Sequence, residues 1–206
     1  MQGSFQLRKA HVYSRRTFPL AILALLGSQG ALADDFARRL VEAARKRTLR
    51  RERYDGSYRR IGYPLGDVPD ELGVCTDLVI RAYRSQGIDL QVLVHEDMTR
   101  SFRSYPTTWG MKHPDRNIDH RRVPNLQAFL ARKGTAYPVS PSPEAYRAGA
   151  LVTWRLPGNL PHIGIVSDRL VKGTRRPLII HNIGAGPVED DILFSYPITG
   201  HYRYPK

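Results

Sequence analysis

Apolar and polar positions recur in this chain with two different periods, and the change falls near residue 148. Before it the spacing is helical. Phe36, Leu40, Val41, Ala44 and Leu49 share one side of a stretch whose other positions hold Arg38, Arg39, Arg45, Lys46 and Arg47. That pattern predicts a helix capped by Asp34 or Asp35 and running to about Arg51. From Cys75 onward Leu78, Val79, Ala82 and Tyr83 repeat at i, i+1, i+4, i+5, an apolar stripe on a helix that ends at Gly87. A further helix is predicted over Val92–Phe102, and another capped by Asn125, running through Leu130 and stopped by Gly134. Tyr54–Gly73, rich in Gly, Pro and Tyr, reads as a shaped loop with one short strand, and residues 104–124 as irregular.

After residue 148 the pattern becomes strand-like, over Ala150–Trp154, Ile163–Val166, Leu178–Ile180, Ile192–Phe194 and His201–Tyr204. Pro157-Gly158-Asn159 and Gly184-Ala185-Gly186-Pro187 separate these runs at hairpin-like intervals. Helices first and an antiparallel meander afterwards predict an α+β fold, with the N-terminal helices packed on one side of a C-terminal antiparallel sheet. In such a fold a residue that opens a helix in the first half can face the sheet edge built by the second half.

The first 33 residues have a different character. Arg8, Lys9, Arg15 and Arg16 form a basic segment, Phe18–Leu26 a short apolar core, and Ala31-Leu32-Ala33 an A-x-A site. This is the three-part layout of a signal peptide, and the apolar run is short for a bilayer span. Ser14-Arg15-Arg16-Thr17-Phe18 also resembles a twin-arginine signal, so the secretory and twin-arginine routes both stay open. Export predicts a periplasmic or secreted protein, and no cysteine follows the core to carry a stable lipid anchor. Residues 34–206 then form a single domain with an insert at about 90–147.

Charge narrows the partners. The full chain carries a formal +13; without residues 1–33 it keeps 28 basic residues against 19 acidic, a net +9. For an exported protein this favours peptidoglycan or another anionic envelope polymer over nucleic acid. The chain has one cysteine, which excludes an intramolecular disulfide and Cys-rich metal sites, and no cofactor is expected.

That cysteine, Cys75, stands where a helix begins, after Gly73-Val74 and before Thr76-Asp77. First-turn N–H groups and the helix dipole favour a thiolate there. A nucleophilic thiol needs a base within hydrogen-bond reach, and the base needs a partner at its other ring nitrogen. His162 opens the clearest strand and His181-Asn182 ends the next one. If the two strands form a hairpin, His181 or Asn182 can lie beside His162 and set its tautomer.

These features together resemble the NlpC-type family of papain-like bacterial cell-wall cysteine peptidases. The matching segments are Tyr63-Pro64-Leu65-Gly66, Val74-Cys75-Thr76-Asp77-Leu78-Val79, His162-Ile163-Gly164-Ile165 and then His181. The likeness spans roughly residues 54–204, with departures: Val74 stands where an acidic residue usually precedes the nucleophile, and Thr76-Asp77 replaces Ser-Gly. The resemblance implies a divergent branch, cleaving amide bonds in peptidoglycan stem peptides through a thioester on Cys75. His162 would be the base and His181 its orienting residue, with Asn182 as fallback. The oxyanion would be held by the Cys75 backbone N–H and a neighbour, with Tyr63 the candidate, although Tyr63 reads equally well as a core aromatic.

Asp77 and Arg121 join Tyr63 and Asn182 as candidate substrate- or oxyanion-facing residues. Arg121 or Arg122 could grip an anion, and Asp119-His120-Arg121-Arg122 reads equally as a salt-bridged loop. Asp77 and Arg81 are spaced as an exposed i,i+4 pair. Asp115, Asp119, His113 and His120 could ligate a metal, but their spacing matches no defined site and none is expected. Phe102, Tyr105 and Trp109 could line a groove or simply pack. The alternatives to a hydrolase are an acyl or amide transferase using the same dyad on a lipid or protein, and a non-catalytic wall-binding protein.

Overall fold

The computed structural model describes residues 21–206, and their side chains from residue 31 onward. The basic segment and the twin-arginine-like motif lie outside the described residues. Asp34–Lys206 form one compact unit.

The first helix, α1, runs Ala21–Arg47. It therefore continues through Ala31-Leu32-Ala33 instead of starting at an Asp34 or Asp35 cap. Alanine and leucine are strong helix formers and nothing in that run stops propagation. At the other end, residues 48–50 leave the helix as a turn, short of Arg51. No helix among the described residues is long and apolar enough to cross a membrane.

The Gly- and Pro-rich segment after α1 contributes two short strands, β1 (Arg53–Tyr54) and β2 (Leu72–Gly73), which pair in parallel. Next come α2 (Cys75–Arg84) and α3 (Leu90–Ser101), the latter capped by Asp89, whose carboxylate accepts the Gln91 and Val92 N–H groups. The fourth helix, α4 (Val123–Lys133), begins earlier than expected. Pro124 suits its first turn, and Asn125 is an internal residue whose amide reaches the Asp119 carbonyl at 3.1 Å.

Six antiparallel strands make the main sheet: β3 (Thr135–Tyr137), β4 (Leu151–Leu156), β5 (Leu160–Leu170), β6 (Pro177–Asn182), β7 (Pro187–Asp190) and β8 (Ile198–Arg203), in the order β3-β8-β4-β5-β6-β7. Both edges, β3 and β7, escape the sequence pattern. β3 has three residues, and β7 opens on a proline and closes on Glu189-Asp190, devices that suit an edge and weaken the strand signal. Ile192–Phe194, expected as a strand, is a turn. Its Leu193 is buried, and its carbonyl accepts the Trp154 indole N–H at 2.9 Å.

Strand alternation divides the core. Leu151, Ile163, Ile165 and Ile180 join Leu40, Val41, Leu78, Val79, Tyr83, Val94, Leu126 and Phe129 on the helical side. Val152, Trp154, Val166 and Ile179 face the other way, against Tyr146, Ile192 and Leu193. Each fully buried large aliphatic contributes roughly 1.5–3 kcal/mol. At the centre, β5 passes β6 closely at Gly164, where an added methyl carbon would stand 2.7 Å from an Ile179 methyl and 3.1 Å from the His181 Cβ. A Gly164→Ala protein is therefore expected to lose roughly 1–3 kcal/mol in denaturant unfolding through overpacking. Unchanged stability would show that β6 gives way freely.

Candidate active site

Cys75 is the first residue of α2, and its position is set by three short segments that meet there. Val74 is the N-cap, and its N–H donates to the Asp77 carboxylate at 2.8 Å. Thr76, fully buried, donates its hydroxyl to the Arg121 carbonyl at 2.9 Å. On the other side, the Gly73 carbonyl lies 3.5 Å from the Asn182 amide at the end of β6, and Asn182 also accepts the Gly184 N–H at 3.1 Å. The first turn of α2 is thereby held between the 119–122 segment and the end of the β5–β6 hairpin.

The thiol is only 4% exposed. The Ile163 and Thr76 N–H groups and the Tyr54 hydroxyl face the sulfur. Ile163 lies beyond Ile165↔Ile180, the last paired position of β5 and β6 toward this end, so the thiol meets the sheet where the two strands part. Burial pushes the Cys75 thiol up to about 11; the Ile163 N–H opposes that rise and the nearby Asp77 carboxylate adds to it. Tyr54 is 44% exposed over its whole surface, yet its hydroxyl is turned inward, and burial followed by the thiol's charge raises its pKa.

Next to Ile163, His162 is 1% exposed and packs near the Trp154 ring, its partner across β4. Its Nε2 lies 3.1 Å from the Nδ1 of His181, with the two rings edge to face. One of these nitrogens carries the proton and the other accepts it, so the tautomers of His162 and His181 are coupled. Burial lowers the pKa of His162 to about 3, with a smaller push from His181, and that of His181 to about 4. The Nε2 of His181 is buried without a hydrogen-bond partner. At neutral pH thiol and imidazoles are thus all uncharged, a different state from a preformed thiolate–imidazolium pair.

Several expected residues lie elsewhere. Tyr63 does not face the thiol: its ring stacks edge-on against His95, with the Arg116 guanidinium over its face. The tyrosine hydroxyl that faces the thiol is that of Tyr54, which the sequence reading did not single out. Tyr54, Tyr58 and Tyr63 all precede the cysteine in a loop-like stretch, and spacing alone cannot separate them. Asp77 and Arg121 are not open to a substrate. They form a buried bidentate pair at 2.7 and 2.9 Å, each side chain 2% exposed, and Arg121 also donates to the Asp55 and Ser57 carbonyls. Arg81, expected as an exposed partner of Asp77, is buried on Glu52 and Asp67. Asn182 holds the backbone around Cys75, and His181 is the partner of His162.

Among the described residues no group of three or more His, Cys, Asp or Glu is gathered to hold a metal ion. Asp115 bonds Asn117 and the Tyr58 hydroxyl, Asp119 receives the Asp115 N–H and pairs with Arg122, and His113 lies against the Pro114 carbonyl. Tyr105 is buried and donates to Asp97 at 2.7 Å, Phe102 packs against the helical core, and the Trp109 ring is covered by Arg122 at 4.4 Å.

Two comparisons with known proteins bear on the chain. Residues 41–204 match the model of a family described as a domain of unknown function (DUF1287). A protein of Escherichia coli (strain K12) named "Uncharacterized protein YijF" is 56% identical over 152 residues, covering 73% of each chain.

Two outcomes follow from this geometry. Iodoacetamide alkylation of Cys75 should be slow at pH 7 and still climbing about tenfold per pH unit at pH 10, because only the thiolate reacts and its fraction grows toward about 11. A rate that levels off below pH 8 would mean a preformed ion pair. Replacing Arg121 by Leu should cost roughly 3–5 kcal/mol in chemical denaturation, since it leaves the buried Asp77 charge unpaired. A loss under 1 kcal/mol would show that water reaches Asp77.

Proposed function

The chain belongs to this family, and from the geometry of its own site we propose that it is an exported thiol hydrolase of the papain-like, NlpC type, cleaving amide bonds in peptidoglycan stem peptides. The observation that carries the reading is the 3.1 Å contact between His162 and His181, one residue along β5 from the Ile163 N–H that meets the sulfur of the helix-start thiol. A buried binding surface has no need for two imidazoles in contact on the strands that end near a thiol. The α+β order and the His162-Ile163-Gly164-Ile165 run within β5, which starts two residues earlier at Leu160, support the family likeness. The leader-like N-terminus and the basic surface support an envelope substrate.

In this reading Cys75 Sγ attacks the amide carbonyl carbon while its proton passes to His162. Because the thiol and the imidazole are both neutral at rest, this transfer happens during attack. The developing oxyanion accepts hydrogen bonds from the first-turn N–H groups of α2 and from the Tyr54 hydroxyl. His162 then gives its proton to the leaving amine, which departs and leaves a thioester. Water, deprotonated by His162, releases the acid and restores the thiol. His181 holds the ring in the tautomer that leaves Nδ1 free to serve as the base.

Purified peptidoglycan, digested by the protein and read by mass spectrometry, is the direct test. New peptide fragments are expected from the wild type, none from Cys75→Ala, and about 10²–10³-fold fewer per unit time from Tyr54→Phe. Fragments that persist with Cys75→Ala would overturn the mechanism, and an unchanged Tyr54→Phe rate would remove Tyr54 from the oxyanion site. Intact wall that nonetheless retains the protein would turn the assignment to wall binding.

A further inference from the structure

An open groove of about 880 Å³ lies along the β1–β2 pair, with the loop after β6 forming its other wall. Arg50, Arg51, Arg53 and Arg59 line it, with Glu71 and Gly186 among the facing residues. These cations are not equally satisfied. Arg59 is held by Asp55 at 3.0 Å and Arg50 by Asp70 at 3.2 Å. Arg53 approaches Asp55 only to 3.9 Å, and Arg51 makes no hydrogen bond or ion pair among the described residues. The one acid between Arg51 and Arg53, Glu52, is buried and engaged by Arg47 and Arg81, so it cannot neutralise the groove. The wall therefore presents guanidinium groups with unused donors to a cavity of ligand size.

Short stretches of chain join the groove to the thiol. Arg53 is followed by Tyr54, whose hydroxyl faces Cys75, and Leu72 is followed by Gly73, Val74 and Cys75. Three residues of extended chain span roughly 10 Å. A group seated in the groove would thus lie one to three extended residues from the carbonyl at Cys75.

We propose that this groove is a carboxylate subsite, with Arg51 as the gripping residue and Arg53 beside it, holding an acidic residue of the peptide whose amide Cys75 attacks. The assignment deepens the peptidase reading and rests on it for the identity of the peptide. Arginine favours this ligand because its planar fork meets both carboxylate oxygens at once. Glu71, exposed on the same wall and without a side-chain partner among the described residues, sets the selectivity: it repels a second anion and admits an amine.

The test uses Cys75→Ala protein, which binds without turnover, on sacculi freed of phosphate-bearing polymers, in native form and with carboxyl groups amidated. Two double variants of equal charge are added to it: Arg51→Gln with Arg53→Gln, and Lys172→Gln with Arg175→Gln, at the opposite end of the β5–β6 hairpin. The groove pair should weaken binding to native sacculi at least tenfold and make the remainder insensitive to amidation, while the hairpin pair stays within about twofold. Equal losses from both pairs would overturn the subsite and leave only net charge. Binding that ignores amidation but is competed by inorganic phosphate would overturn it in favour of a phosphate ligand. Amidation-sensitive binding through Arg51, by a wild-type protein that cuts nothing, would sink the peptidase reading and keep the carboxylate site.

Discussion

The buried pair between Asp77 and Arg121 is the interaction on which the site depends. Its two short hydrogen bonds join the first turn of α2 to the segment before α4. The remaining donors of Arg121 reach the Asp55 and Ser57 carbonyls, so the same guanidinium fixes the chain just after Tyr54. Asp77 in turn closes the helix start by accepting the Val74 N–H. Three pieces of chain far apart in sequence are thus referred to one charge pair in a dry environment. Such a pair adds little net stability against an apolar replacement, because desolvation offsets much of the attraction. What it supplies is position: the thiol, the Tyr54 hydroxyl and the first-turn donors cannot move independently.

Burial then decides the chemistry that this arrangement can perform. The desolvation that raises the thiol and lowers both imidazoles acts in opposite directions on acid and base. The result is a resting site without charge, next to a surface where charge is abundant. Arginines there are arranged in ranks: Arg81, Arg47 and Arg121 are tied to buried acids, Arg50 and Arg59 to more exposed ones, and Arg51 to none among the described residues. Under the proposed hydrolase reading, a neutral thiol near a cationic groove suits a substrate that carries its negative charge away from the bond being broken.

Much of the fold was legible because its signals are local. The apolar stripe of α2 follows from helical spacing, and all four of Leu78, Val79, Ala82 and Tyr83 are buried. The hairpin that brings His181 to His162 follows from alternation and turn residues, and the pair is found in contact. Edges and boundaries were less legible. β3 and β7 carry little apolar signal because an edge strand has one partner and is shaped to refuse a second. The start of α1 and the first turn of α4 moved because several residues near each end can serve as a terminus.

By itself, then, the sequence determined the α+β order, the helix-start cysteine and the two histidines on neighbouring strands, since each rests on a period or a turn within a few residues. Only the tertiary structure decided which tyrosine faces the thiol, that Asp77 pairs with Arg121 and not Arg81, and that Arg51 is left without a partner among the described residues. Those outcomes are competitions among like residues, with three tyrosines in one loop and many arginines for few acids. They are settled by burial and distance between segments up to 44 residues apart, which no local pattern encodes.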